Sequence, residues 1–126
     1  MGQQVWFLGY PFLEGLSTHA GNLELPFIKR GTLSAIVANG SDQTLYYIDG
    51  FNNAGFSGGP ILLWDFSEHV YKIVGVVKGY KPEAAKVMVN GQPVETNVLV
   101  NSGILVGFSI MHAMQAIEDD AKQTKQ

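Results

Sequence analysis

The apolar residues of this 126-residue chain come in short runs separated by turn-forming residues, a pattern of strands rather than helices. Residues 4–8 form a brief apolar run that stops at Gly9-Tyr10-Pro11. Residues 12–25 read as a loop, with glycines at 15 and 21 and Ser17-Thr18-His19 between them. Residues 27–37 read as a strand through Ile28, Thr32 and Ile36, with a bend or bulge at Gly31. Asn39-Gly40-Ser41-Asp42 is a turn, residues 45–49 a strand, and residues 50–59 a loop rich in glycine and asparagine. Residues 61–64 form a short buried strand, 65–69 turn the chain, and 71–78 return as a strand carrying Ile73, Val74, Val76 and Val77. Residues 79–94 read as a polar excursion with two prolines, and 98–100 with 104–108 as the last strand region.

The period changes near the C-terminus. Ile110, Met114 and Ile117 recur at helical spacing, predicting an amphipathic helix over about 110–122 with Ser109 as its N-cap and a polar tail over 123–126. About six strands, one helix, no repeat and no linker imply a single domain over 1–126, a small all-β barrel or sandwich.

Composition narrows the functional classes. At 46% hydrophobic and 15% charged, the chain is that of a globular protein. The sparse charge leaves room for part of the surface to be covered by something else. A net charge of −3 without a basic cluster argues against nucleic acid. No apolar run reaches the roughly 18 residues of a membrane helix, so no membrane partner is expected. The first residues lack the basic-then-apolar form of a signal peptide. With no cysteine there is no disulfide, thiolate or cysteine-held metal; both features are compatible with a cytoplasmic location. No cofactor and no metal are expected.

The chemistry concentrates in Gly55-Phe56-Ser57-Gly58-Gly59-Pro60. Glycines on both sides of a serine cost folding entropy and permit backbone conformations other residues avoid. Such a backbone can present a hydroxyl beside free N–H groups, the layout of a nucleophile with donors for a developing oxyanion. The run also fits an ordinary tight turn. It matches the G-x-S-x-G elbow of α/β-hydrolases letter for letter, but that elbow needs a helix after the serine. Gly-Gly-Pro followed by Ile-Leu-Leu-Trp is a poor helix start, and the chain lacks alternating strands and helices.

The same six residues resemble the G-x-S-G-G-P motif of the trypsin/chymotrypsin-like serine peptidases. Ile73-Val74-Gly75-Val76-Val77-Lys78-Gly79 follows at the family's usual distance and looks like the strand beside bound substrate. Asn101-Ser102-Gly103-Ile104-Leu105 resembles the pocket wall before the C-terminal helix, and Gly9-Tyr10-Pro11 with Phe27-Ile28-Lys29-Arg30-Gly31 looks like opening strands. The resemblance spans nearly the whole chain but only the C-terminal of the family's two barrels. It implies an all-β fold: a six-stranded antiparallel barrel with one C-terminal α-helix.

By that resemblance Ser57 is the nucleophile, and its N–H and that of Gly55 are the oxyanion donors. Phe51, Lys78, Gly79, Tyr80 and Gly103 match positions lining the primary specificity pocket. No carboxylate stands at the matching pocket base, so an apolar or small side chain is the expected preference. Phe56 replaces the aspartate that many secreted relatives carry there, which implies no N-terminus-driven activation switch.

The family's base histidine and orienting aspartate belong to the other barrel. His19 lies in a loop near the implied active-site rim, His69 in a hairpin turn and His112 in the first helical turn. None matches the base, and their scatter lacks metal-site spacing. Asp42, Asp49, Asp65, Asp119 and Asp120 read most simply as turn or surface residues. The resemblance thus implies the nucleophile half of a serine endopeptidase acting on peptide or protein substrate through an acyl-enzyme. Its complement would be an N-terminal barrel carrying His and Asp, or a second copy of the chain, met through an apolar face. The alternative is an inactive peptidase-like module that binds extended peptides by strand addition along residues 73–78.

Overall fold

A computed structural model describes residues 1–12, 19–20, 22–40 and 43–123. Six strands form an antiparallel sheet that closes on itself: β1 (Gln4–Gly9), β4 (Phe27–Asn39), β5 (Gln43–Asp49), β8 (Gln92–Ser109), β7 (Val70–Val89) and β6 (Pro60–Asp65), with β6 returning to β1. Two two-residue strands, β2 (His19–Ala20) and β3 (Leu23–Glu24), pair with each other inside the segment expected to be loop. The turn expected at Ser41-Asp42, and the end of the tail at 124–126, lie outside the described residues.

Alternation builds the interior. Val5 and Phe7 point into the ring and are fully buried, while Trp6 between them is only half-buried on the outside. They meet Ile48, Ile61, Val77, Leu105 and Phe56 in one buried cluster. The irregularity expected at Gly31 lies elsewhere. Gly31 keeps its register with Val5, and the bulge falls between Leu33 and Ala35. Gly31 instead allows close packing, since a Cβ there would stand 2.6 Å from Ile48 Cγ2.

The largest departure from the sequence pattern is residues 79–94. They are not an excursion but the outer part of a hairpin in which β7 runs for 20 residues and β8 for 18. Its tip, Asn90-Gly91, has φ of 49° and 77°, the two left-handed positions that a tight hairpin turn requires. The prolines stay because they sit in a two-stranded ribbon where no third strand needs their N–H. Pairing with β5 ends at Asp49↔Ile104 and pairing with β6 at Pro60↔Val76, so beyond these points the ribbon projects as an arm.

Helix α1 (Ile110–Gln123) begins where Ser109 Oγ accepts the Met111 N–H, as an N-cap should. Its expected apolar face is largely uncovered, with Met114 and Ile117 both exposed. At the same end of the ring, the β6–β7 turn is built on Asp65. Its Oδ1 accepts the Ser67 and Glu68 N–H groups, and its Oδ2 pairs with Lys72 at 2.8 Å. The Lys72 bond, then those from Ser67 and Glu68, holds the Asp65 carboxyl far below the ordinary carboxylate range. A depressed folded pKa contributes stability above the unfolded value of about 3.9 that is lost as pH falls toward the folded one. In urea titrations, the stability gap between wild type and Asp65→Asn should therefore narrow steadily below about pH 4.5. The gap itself should be small because the pair is exposed.

Candidate functional site

The loop 50–59 joins β5 to β6 at the end of the ring where the arm emerges. Phe56 anchors it. This ring is fully buried and meets Phe7 edge-on at 5.6 Å. With Phe56 turned inward, Ser57 is left exposed on the other side of the backbone.

The flanking glycines have separate reasons. Gly55 has φ of 95°, and a Cβ there would stand 1.9 Å from Tyr10 O. A Cβ on Gly59 would stand 1.9 Å from Leu8 O. The loop therefore lies directly against the end of β1, and the Tyr10 N–H donates to Gly55 O at 3.0 Å. On the other flank the Gly58 N–H donates to Val77 O and the Val77 N–H to Gly59 O, each at 2.8 Å. These two bonds fasten the serine loop to the edge of β7.

The N–H groups of Gly55 and Ser57 donate to no described residue, and the Ser57 hydroxyl bonds none. Gly55 is half-buried and Ser57 exposed, so these groups are open to an acceptor from outside. Beside them opens a cleft of about 470 Å³ lined by Leu8, Tyr10, Pro26, Gly55, Ser57 and Pro60. Hydroxyl, free donors and cleft form one arrangement.

The residues expected to line a specificity pocket are spread around it. Lys78, Gly79 and Tyr80 line a different, smaller cleft of about 310 Å³, shared with Tyr47 and Pro82. Phe51 is 55% exposed. Gly103 supports the loop through its backbone, its carbonyl accepting the Gly50 N–H at 2.9 Å. Of these five residues, three share one cleft and two lie outside it.

The histidines separate by topology. The His112 Nε2 accepts the Thr44 N–H at 2.9 Å, which ties α1 to the start of β5. His69 lies in the β6–β7 turn with its ring 6.4 Å from that of Trp64. Both belong to the end of the ring opposite Ser57. Only His19 belongs to the Ser57 end, exposed and directly across from Glu24 in the β2–β3 ladder. Among the described residues no histidine pairs with a carboxylate, and no cluster of His, Asp or Glu has the form of a metal site.

Three loop-holding residues escaped the sequence reading. Lys29 pairs across from the inward-facing Phe7, so it starts inside the mouth of the ring and reaches out. Its Nζ donates to Phe51 O at 3.0 Å and to Asn53 Oδ1, and it lies 5.1 Å from the centre of the Phe56 ring. Burial pushes its pKa down. The signal was present: Phe27, Lys29, Gly31 and Leu33 share one parity, and a lysine at an inward position needs a partner. Asn101 Nδ2 donates to Asn52 O, and its Oδ1 accepts the Gly103 N–H at 3.0 Å. Asn52 is 2% exposed, and its Oδ1 has no partner among the described residues. No periodic pattern marks either asparagine: Asn52 acts from the loop, and Asn101 lies in β8 beside a register shift of the arm.

Lys29→Met keeps the apolar stem but removes two donated bonds. It should cost about 1–2 kcal/mol in urea denaturation and speed amide exchange within residues 51–57.

No protein-family model, curated protein or solved structure matches this chain.

Proposed function

We propose that this chain is the nucleophile-bearing half of a trypsin-like serine endopeptidase, its ring the second barrel of that fold. The observation that carries the reading is the Ser57 loop. An exposed hydroxyl lies beside the Gly55 and Ser57 N–H groups, which have no partner among the described residues, on a backbone held by Phe56, Lys29 and the β7 edge. In the complete enzyme Ser57 attacks the scissile carbonyl while a histidine removes its proton. The oxygen that gains charge is received by the N–H groups of Gly55 and Ser57. One such donor is worth about 2.7–4 kcal/mol in the transition state. Lys78, Gly79 and Tyr80, which share one cleft, hold the substrate side chain and strand. The histidine and aspartate come from a first barrel or from a second copy of the chain. Exposed apolar side chains beside the serine loop (Tyr10, Phe12, Phe51) support an association face. A chain that remains monomeric in light scattering at high concentration would remove the self-association part of the proposal.

The isolated chain tests the core of it. Without a base, a serine hydroxyl is a weak nucleophile, but oxyanion donors alone retain catalysis over water. Prolonged exposure to p-nitrophenyl acetate should place an acetyl group on Ser57 faster in the folded chain than in the urea-unfolded chain, read by mass spectrometry of the Ser57 peptide. Equal rates would end the nucleophile reading. Rapid fluorophosphonate labelling that is lost in His19→Ala would instead make the chain self-sufficient and end the claim of a missing half.

A second reading has one observation of its own. The unpaired edge of β7 favours an inactive module that binds peptides by strand addition. The edge is not the expected residues 73–78, because Ile73, Gly75 and Val76 already pair with β6 and Val77 with the serine loop. It starts at Lys78.

A further inference from the structure

We propose that the β7 edge from Lys78 outward, including the arm, is a track on which an extended polypeptide adds as a strand while its reactive bond lies at Ser57. The proposal rests on the reading of Ser57 as nucleophile and names the substrate class of that site: a long unfolded segment rather than a short peptide or a compact loop.

Continuity is the first reason. Gly58 and Gly59 occupy the β7 edge at Val77 as a third strand would, through the two 2.8 Å bonds. From the next residue on, among the described residues, β7 pairs with β8 alone. A peptide arriving at Ser57 therefore meets an edge of backbone donors and acceptors continuous with the strand already paired there, interrupted at Pro82 and at the register shifts Val77/Gly79, Tyr80/Pro82 and Lys86/Met88. At about 3.3 Å per residue, the edge from Lys78 to Val89 offers on the order of 40 Å.

The second reason is the ribbon's own stability. A two-stranded hairpin is marginal in water and gains from a third strand. Apart from the half-buried Ala85 and Val87, the arm's residues from Lys81 to Val100 are exposed. Cross-strand partners share a face, so Ala85 with Val98, and Glu83 with Val100, make one side of the ribbon mainly apolar. An added strand would extend that side.

Third, the two edges of the arm differ. The β7 edge carries Lys81, Pro82, Glu83 and Lys86, the devices that keep an exposed edge from pairing permanently with its own kind. An edge that must stay open for a transient guest needs that protection. The β8 edge carries Pro93 and Glu95 but no lysine, and its Val98-Leu99-Val100 run has no charge.

Fluorescein-labelled, N-acetylated peptides of alternating Thr and Val with a terminal Lys, of four and of ten residues, provide the test on the whole chain. By anisotropy the longer peptide should bind at least tenfold tighter, and it should slow amide exchange along β7 from Lys78 outward. N-methylation of alternate distal residues should remove the advantage. This ligand-side control is independent of a second variant in which residues 84–99 are replaced by Asn-Gly. That variant should bind both peptides alike. Equal affinity of the two peptides for wild type, or protection confined to the β8 edge, overturns the track and leaves the serine reading standing. Length-dependent binding without acylation of Ser57 by p-nitrophenyl acetate supports the track and removes the nucleophile. Concentration-dependent dimerisation that protects the β7 edge without peptide overturns the track, since the edge then belongs to a second copy.

Discussion

Phe56→Ala should destabilise the chain by about 3–5 kcal/mol, the cost of truncating a fully buried aromatic side chain. Small domains are stable by only about 5–15 kcal/mol, so the loss is a large fraction of the whole. The expected fall in thermal midpoint is about 10–20 °C. Phe56 sits in an unusual place for a core residue. It belongs to a loop, it is fully buried, and its ring meets that of Phe7 from the first strand. Truncation thus leaves a cavity in the ring and releases the loop that displays Ser57. Phe56→Leu keeps most of the volume and should cost about 1 kcal/mol. A larger effect on the loop than on the ring, read as faster amide exchange at residues 54–58 in Phe56→Leu, would show the anchor at work. A destabilisation below about 1 kcal/mol in Phe56→Ala would mean that the side chain does not fill the core.

Gly55→Ala should cost about 2–5 kcal/mol from two sources. A left-handed backbone costs an L-residue roughly 1–2 kcal/mol, and Gly55 has φ of 95°. Overpacking adds about 1–3 kcal/mol, and the new methyl would start 1.9 Å from Tyr10 O. Relief requires the loop to move off β1, breaking the 3.0 Å bond from the Tyr10 N–H to Gly55 O. That motion also displaces the Gly55 N–H. If the N–H serves as an oxyanion donor, acylation of Ser57 should slow by about 10²–10³-fold. Gly58→Ala is the control. Gly58 also has a positive φ, 87°, but a Cβ there meets nothing within 4 Å. It should cost the backbone part only, about 1–2 kcal/mol. Equal costs at the two positions would rule out the close approach to Tyr10.

The strands of the ring were legible because their periodicity is strong. Val5 and Phe7 alternate with Trp6, and Ile61 and Val77 lie in apolar runs bounded by glycine, proline and aspartate. The helix was legible from Ile110, Met114 and Ile117, although Met114 and Ile117 of that stripe are exposed. The arm was misread for a physical reason. A ribbon exposed on both faces has no need of alternation, so Lys81-Pro82-Glu83 resembles loop even when paired. The serine loop was legible through its glycines. What holds it was not, since Lys29, Asn52 and Asn101 act through backbone carbonyls that any sequence possesses. The separation of His69 and His112 from Ser57 was equally hidden, because it depends on which end of the ring each connection falls.

The closed sheet has a consequence for how the chain reaches its native state. Hairpins β4–β5, β6–β7 and β7–β8 join neighbours in sequence and can form in microseconds. The seams β1–β6 and β5–β8 cannot, for Val5 must find Leu63, and Leu45 must find Phe108. Contacts so distant in sequence make folding slow, with loop-closure entropy lost before any reward arrives. Until both seams shut, β5 and β8 present bare edges at Leu45 and Phe108, and such intermediates aggregate. Refolding yield should therefore fall with protein concentration, and seam mutations such as Leu45→Ala should slow folding more than mutations within the β7–β8 arm.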